Sequence, residues 1–106
     1  DKEKLQEVEK LLAQATTLNV RHAGAYARLA EVRSVLGNPA SLGLALRAVQ
    51  LEPSEMSHRL VVTRILMRDK RYDDALKAVQ AAAPLAKTPE QIAAARELQQ
   101  AIERAK

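Results

Sequence analysis

The sequence predicts an all-α protein of about six helices stacked as an array. Three observations carry this expectation. Apolar residues recur at spacings of three and four along nearly the whole chain, and no segment alternates as a strand does. Gly, Pro, Asn and Ser or Thr residues punctuate the periodic runs at short intervals. The runs also repeat one another. Val8, Ser41 and Ala75 are separated by 33 and then 34 residues, and the same offsets connect Leu12, Ala45 and Val79. They also connect Ala15, Ala48 and Ala82, and Leu18, Leu51 and Leu85. The alternate runs are related by 33 residues: Leu29, Val62 and Ala95 line up, as do Val32, Ile65 and Leu98. A period of this size belongs to chains built from stacked helical units.

The first helix is expected over Asp1 to Leu18, where Leu5, Val8, Leu11, Leu12, Ala15 and Leu18 form one stripe. Lys4, Glu7, Glu9 and Lys10 cover the other side, and Asn19 is a stop. A second helix is expected from about Ala23 to Leu36, with Tyr26, Leu29, Ala30 and Val32 on its stripe and Gly37 ending it. Asn38 is then expected to cap a third helix with Pro39 in its first position, and Pro53 blocks its continuation. Ser54 is the expected cap of a fourth. There Leu60, Val61, Val62, Ile65, Leu66 and Met67 are apolar on more than one side, as in a helix between two neighbours. Asp73 is the expected cap of a fifth helix, which carries Ala75, Leu76, Ala78, Val79 and Ala82 and ends at Pro84. Thr88-Pro89-Glu90-Gln91 opens the sixth, whose stripe is Ile92, Ala95, Leu98 and Ile102.

The 106 residues suit one domain. There is no Phe, no Trp and only two Tyr, so the core must pack helices closely through Ala and Leu. The absence of Cys excludes disulfides and thiolate metal sites. No apolar run reaches the length that spans a bilayer. The net charge of +4 is compatible with an acidic partner and too small to demand nucleic acid.

Tyr26-x-x-Leu29-Ala30 is an aromatic, Leu and small residue at helical spacing, and Ala48 with Leu51-Glu52-Pro53 closes the following helix. Arg71-Tyr72-Asp73-Asp74-Ala75-Leu76 and Ala82 form a similar junction later. In these residues the chain resembles the tetratricopeptide repeat family, with helix pairs of about 34 residues. The resemblance implies a right-handed superhelical array of antiparallel helix pairs in a single domain. It would comprise a half repeat over residues 1–20, repeats over 22–53 and 55–85, and a capping helix over 88–106. The chain departs from the family pattern at Arg59 and Thr63, which replace the aromatic and the small residue. It departs again at Lys70, which stands where Gly is preferred, and the middle unit is one residue short near Gly37–Ser41.

Nothing points to catalysis or to a cofactor. His22 and His58 lie near expected helix starts about one repeat apart, which a shared repeat position explains. Asp73 and Asp74 fit helix-start roles. The three Gly residues are scattered and form no phosphate loop. Arg64 and Arg68 share a helix face, either as an ordinary solvated surface or as part of a binding groove. The family resemblance implies a concave groove lined by Ala27, Glu31 and Ser34 from the earlier unit and by Leu60, Arg64, Met67 and Arg68 from the later one. The family's carboxylate clamp needs Lys and Asn in this groove, and Ala27 and Glu31 occupy those places, so that ligand is not expected.

The expected function is a non-catalytic interaction module that takes a protein or peptide segment in this groove, with an acidic segment suiting Arg64 and Arg68. The alternative is a structural, self-associating element in which Leu5, Leu11 and the last helix stripe pair with another copy. RNA reading, as by other helical repeats, ranks below both, because the two Tyr fit structural positions.

Overall fold

A helix begins where its first amides find acceptors and ends where its last carbonyls find donors. The computed structural model describes residues 1–106 and places these boundaries so as to give six α-helices and no strand. They are α1 (Lys2–Leu18), α2 (Ala23–Val35), α3 (Ser41–Leu51), α4 (Met56–Arg68), α5 (Tyr72–Ala82) and α6 (Pro89–Ala105). A 3-10 turn, Ala83–Leu85, precedes α6.

Three starts are capped by side chains. Asp1 Oδ1 accepts from the Glu3 amide at 3.0 Å and His22 Nδ1 from the Ala25 amide at 3.1 Å. Thr88 Oγ1 accepts from the Gln91 amide at 3.1 Å, and Gln91 Oε1 reaches back to the Lys87 amide at 2.6 Å. The three other expected caps are displaced. Asn38 does not cap α3, because its amide already closes the end of α2; its Oδ1 instead accepts from the Ala40 amide at 2.8 Å. Pro39 therefore sits in a turn, and α3 starts at Ser41. Ser54 lies in the turn closed by the Glu55 amide on the Glu52 carbonyl, so α4 starts at Met56. Asp73 is inside the first turn of α5, which Arg71 precedes, and Arg71 grips Asp74 at 2.7 Å.

The ends of α2 and α4 are built alike. The Asn38 amide donates to the Arg33 carbonyl and the Gly37 amide to Ser34, with Gly37 at φ 82°. The Arg71 amide donates to Leu66 and the Lys70 amide to Met67, with Lys70 at φ 61°. This double bond pattern needs a left-handed residue. Gly37 adopts that conformation freely, and Lys70 adopts it at a cost of roughly 1 kcal/mol.

Packing runs along the chain. Each helix lies against the next in sequence, and α2 also meets α4. Connections of a few residues join each helix to the next. α2 and α4 are both 13 residues long, and α3 and α5 both 11. Burial follows the sequence offsets: Ser41, Ala45 and Ala48 are buried in α3, and Ala75, Val79 and Ala82 in α5. α4 is the central element. It touches α2, α3 and α5 and buries eight residues, as its two-sided apolar pattern predicts. Thr63 is accommodated in the core by donating its hydroxyl to the Arg59 carbonyl at 2.9 Å. Tyr26 and Tyr72 are half-buried against the core.

At the C-terminal end, Lys106 Nζ stands 2.7 Å from Asp73 Oδ1 and ties α6 to α5. The hydrogen bond and the charge of Lys106 hold the Asp73 carboxyl below its ordinary value, with Lys77 adding to the effect.

Ala48 is fully buried, so Ala48→Leu should destabilise the protein by roughly 1–3 kcal/mol through overpacking. Urea denaturation with an unchanged midpoint would contradict this packing. The left-handed Lys70 gives the opposite expectation: Lys70→Gly should raise stability by about 1 kcal/mol in the same assay. A loss of stability would show that the Lys conformation carries no strain.

Candidate functional site

The 33-residue offset between α2 and α4 places equivalent turns side by side, which brings polar residues of the two helices together. Glu31 of α2 is the hub. Its Oε1 accepts from Arg64 Nε at 2.7 Å, and its Oε2 lies 3.6 Å from Arg68 Nη1. Arg68 Nη1 also donates to Ser34 Oγ at 3.2 Å. Four of the seven expected groove residues, Glu31, Ser34, Arg64 and Arg68, therefore form one connected network. Arg64 spends only Nε on Glu31, so its two terminal nitrogens keep their donors for another acceptor. The side chains of Arg64 and Arg68 are 38% and 40% exposed, which leaves these donors within reach of solvent.

The three apolar positions behave differently. Ala27 and Leu60 are buried in the core, and Met67 is half-buried against it. Ala27 still lines a hollow of about 350 Å³ between α2 and α4, with Gly24, Arg28 and Glu31 on one side and Ser57, His58, Val61 and Arg64 on the other. Leu60 is absent from that wall, and Val61 takes the place it was expected to fill. Counting back one turn from Arg64 reaches Val61 and then Ser57. Arg28 is reached the same way from Glu31. Helical spacing applied strictly to the two network residues would thus have found most of the wall. Arg28, Arg64 and Arg68 against Glu31 leave the site with an excess of positive charge.

His58 has no counterpart role to His22. His22 is exposed and caps α2, whereas His58 lies inside α4 and is buried. The residues that share a repeat position are His22, Glu55 and Thr88, which immediately precede α2, α4 and α6. His58 Nε2 is 2.6 Å from Glu52 Oε1, and its buried Nδ1 has no protein partner. Glu31 Oε2 is likewise buried without a hydrogen bond. Two orphaned polar atoms thus belong to residues lining one hollow.

No three His, Asp or Glu side chains stand close enough to hold a metal ion. No helix is long and apolar enough to cross a membrane. No protein-family model matches the chain, and comparison with curated proteins gives no match.

Removing the Glu52 carboxylate strands His58 with both ring nitrogens unpaired. Glu52→Ala should therefore cost about 1–3 kcal/mol of unfolding free energy. A variant as stable as the parent in urea would show that the 2.6 Å contact contributes nothing.

Proposed function

We propose that this chain is a non-catalytic protein–protein interaction module that takes an extended or helical peptide against the joined face of α2 and α4. The observation that carries this reading is the Arg64–Glu31–Arg68–Ser34 network, which holds two arginines in place while leaving their outer donors free. A guanidinium that is already oriented loses less freedom on binding and forms strong paired hydrogen bonds with a carboxylate. Glu31 also tempers the site, since a carboxylate beside two arginines competes with any incoming acid. The fitting ligand is an acidic segment with an apolar residue. Its carboxylates would meet Arg64 and Arg68, and its apolar side chain would enter the hollow beside Val61 and Ala27.

In the same reading the architecture is a right-handed superhelical array of antiparallel helix pairs, similar to the tetratricopeptide repeat family. The equal helix lengths and the starts preceded by His22, Glu55 and Thr88 support it. So does the repeated left-handed helix end at Gly37 and Lys70. α6 is then either a cap or the first helix of a further unit.

A fluorescent peptide library varied in Asp, Glu and Leu content, measured by anisotropy, tests the groove. Acidic members should bind, with affinity falling as salt rises. Arg64→Glu combined with Arg68→Glu should weaken them at least about tenfold. Binding that survives the double reversal would place the site elsewhere.

A further inference from the structure

The outer face of α1 is apolar and uncovered. Val8 is 42%, Leu11 66% and Leu18 87% exposed. Their repeat equivalents fare otherwise: Ser41 and Ala75 are buried, and Leu51 and Leu85 are half-buried. α3 and α5 each lie between two neighbouring helices, whereas α1 has only α2. α1 packs with α2 through the side bearing Leu5, Glu9, Leu12 and Thr16, all half-buried. The stripe of the exposed Val8, Leu11 and Leu18, with the half-buried Ala15 between them, lies roughly 110° around the helix from that side.

We infer that this face is the contact of a symmetric homodimer in which α1 pairs antiparallel with α1 of a second copy. The stripe is spaced three, four and three residues, the same from either end. A two-fold axis level with residue 13, on the face between Leu11 and Ala15, sets Val8 against Leu18 of the second copy and Leu11 against its Ala15. Each Leu11 then meets a small residue and each Val8 packs on a Leu, so the stripe is complementary to itself, as an isologous interface requires.

Charge selects the direction. All charged residues of α1 fall within residues 1–10, and residues 11–20 carry none. An antiparallel pair lays the charged half on the uncharged half. A parallel pair would bring Lys4 to Lys4 and Glu7 to Glu7, which is destabilising. Lys4 lies in line with the stripe and reaches toward the C-terminal end of α1 of the second copy. That end has no basic residue of its own and favours a cation.

The far end of the array is not the complement. Around the exposed Ile92, α6 presents Arg96, Gln99, Gln100 and Glu103, whereas Ala95, Leu98 and Ile102 are turned inward. Head-to-tail growth therefore lacks a second apolar face. Leu5 is also spent on α2, so Leu11, not Leu5, belongs to the interface.

A single helix pair is smaller than a standard interface, so the dimer is concentration-dependent. Sedimentation equilibrium of the full chain should show reversible dimerisation. Leu11→Glu with Leu18→Glu should weaken it at least about tenfold while helix content stays constant, because both side chains are exposed in one copy. The protein has no Cys, so introduced ones report cleanly. Val8→Cys with Leu18→Cys should oxidise to a dimer linked between positions 8 and 18 of different copies. Within one helix these positions are about 15 Å apart and cannot bridge. A monomer up to about 1 mM overturns the proposal and leaves the face to a different helix. A dimer unaffected by the Glu substitutions, or linked between the two copies of position 8, overturns it equally.

Discussion

Close approach between helices is the constraint on which the rest depends. With no Phe or Trp, no large ring fills the space between elements. Ala30, Ala45, Ala48, Ala75 and Ala82 are instead completely buried, and helix surfaces meet across them. Small residues bring little apolar area each, so no helix pair here is rich enough to be independent. Stability must come from every helix having a neighbour on each side. α2 and α4 meet this condition best, each touching three helices, and Met56, Thr63 and Ile65 of α4 are fully buried.

The same closeness shapes the surface chemistry. Because α2 and α4 are adjacent and in step, a carboxylate on one can hold arginines on the other. Glu9 and Arg33 make a comparable contact at 3.1 Å between α1 and α2. Exposed ion pairs of this kind add little to stability. Their value lies in orientation, since a guanidinium fixed at Nε points its remaining donors in one direction. Glu31 Oε2 and His58 Nδ1 accept or donate no hydrogen bond within the protein, although Oε2 faces the Arg68 guanidinium at 3.6 Å.

Much of this was legible in the residues. The six helices, the ends near Gly37 and Lys70 and the Thr88 start follow from periodicity and capping chemistry, which act over a few residues. The burial of Ala45, Ala48, Val79 and Ala82 followed from offsets that several positions share. The caps at Asn38, Ser54 and Asp73 were misplaced because each has a competing local role. Asn38 finishes α2, Ser54 belongs to a turn, and Arg71 turns α5 a residue or two early. Arg64, Arg68, Glu31 and Ser34 meet across α2 and α4, but Leu60 faces the core and Val61 the hollow. One residue is 100° of helix, and choosing between two adjacent apolar residues requires knowing where the neighbouring helices lie. His58 was obscure for a similar reason, since its partner Glu52 sits across a turn rather than on its own helix.

α1 contains no buried residue, although it is one of the two longest helices. Protection against hydrogen exchange should therefore be graded, highest in α4 and lowest in α1, with the N-terminal helix opening as a unit long before the molecule unfolds. Detachment would break the Glu9–Arg33 contact and leave the Glu31 network, which lies between α2 and α4, in place. Release of α1 is thus separable from the integrity of the polar face that α2 and α4 share. Whatever covers the outside of α1 also sets how often that helix comes free.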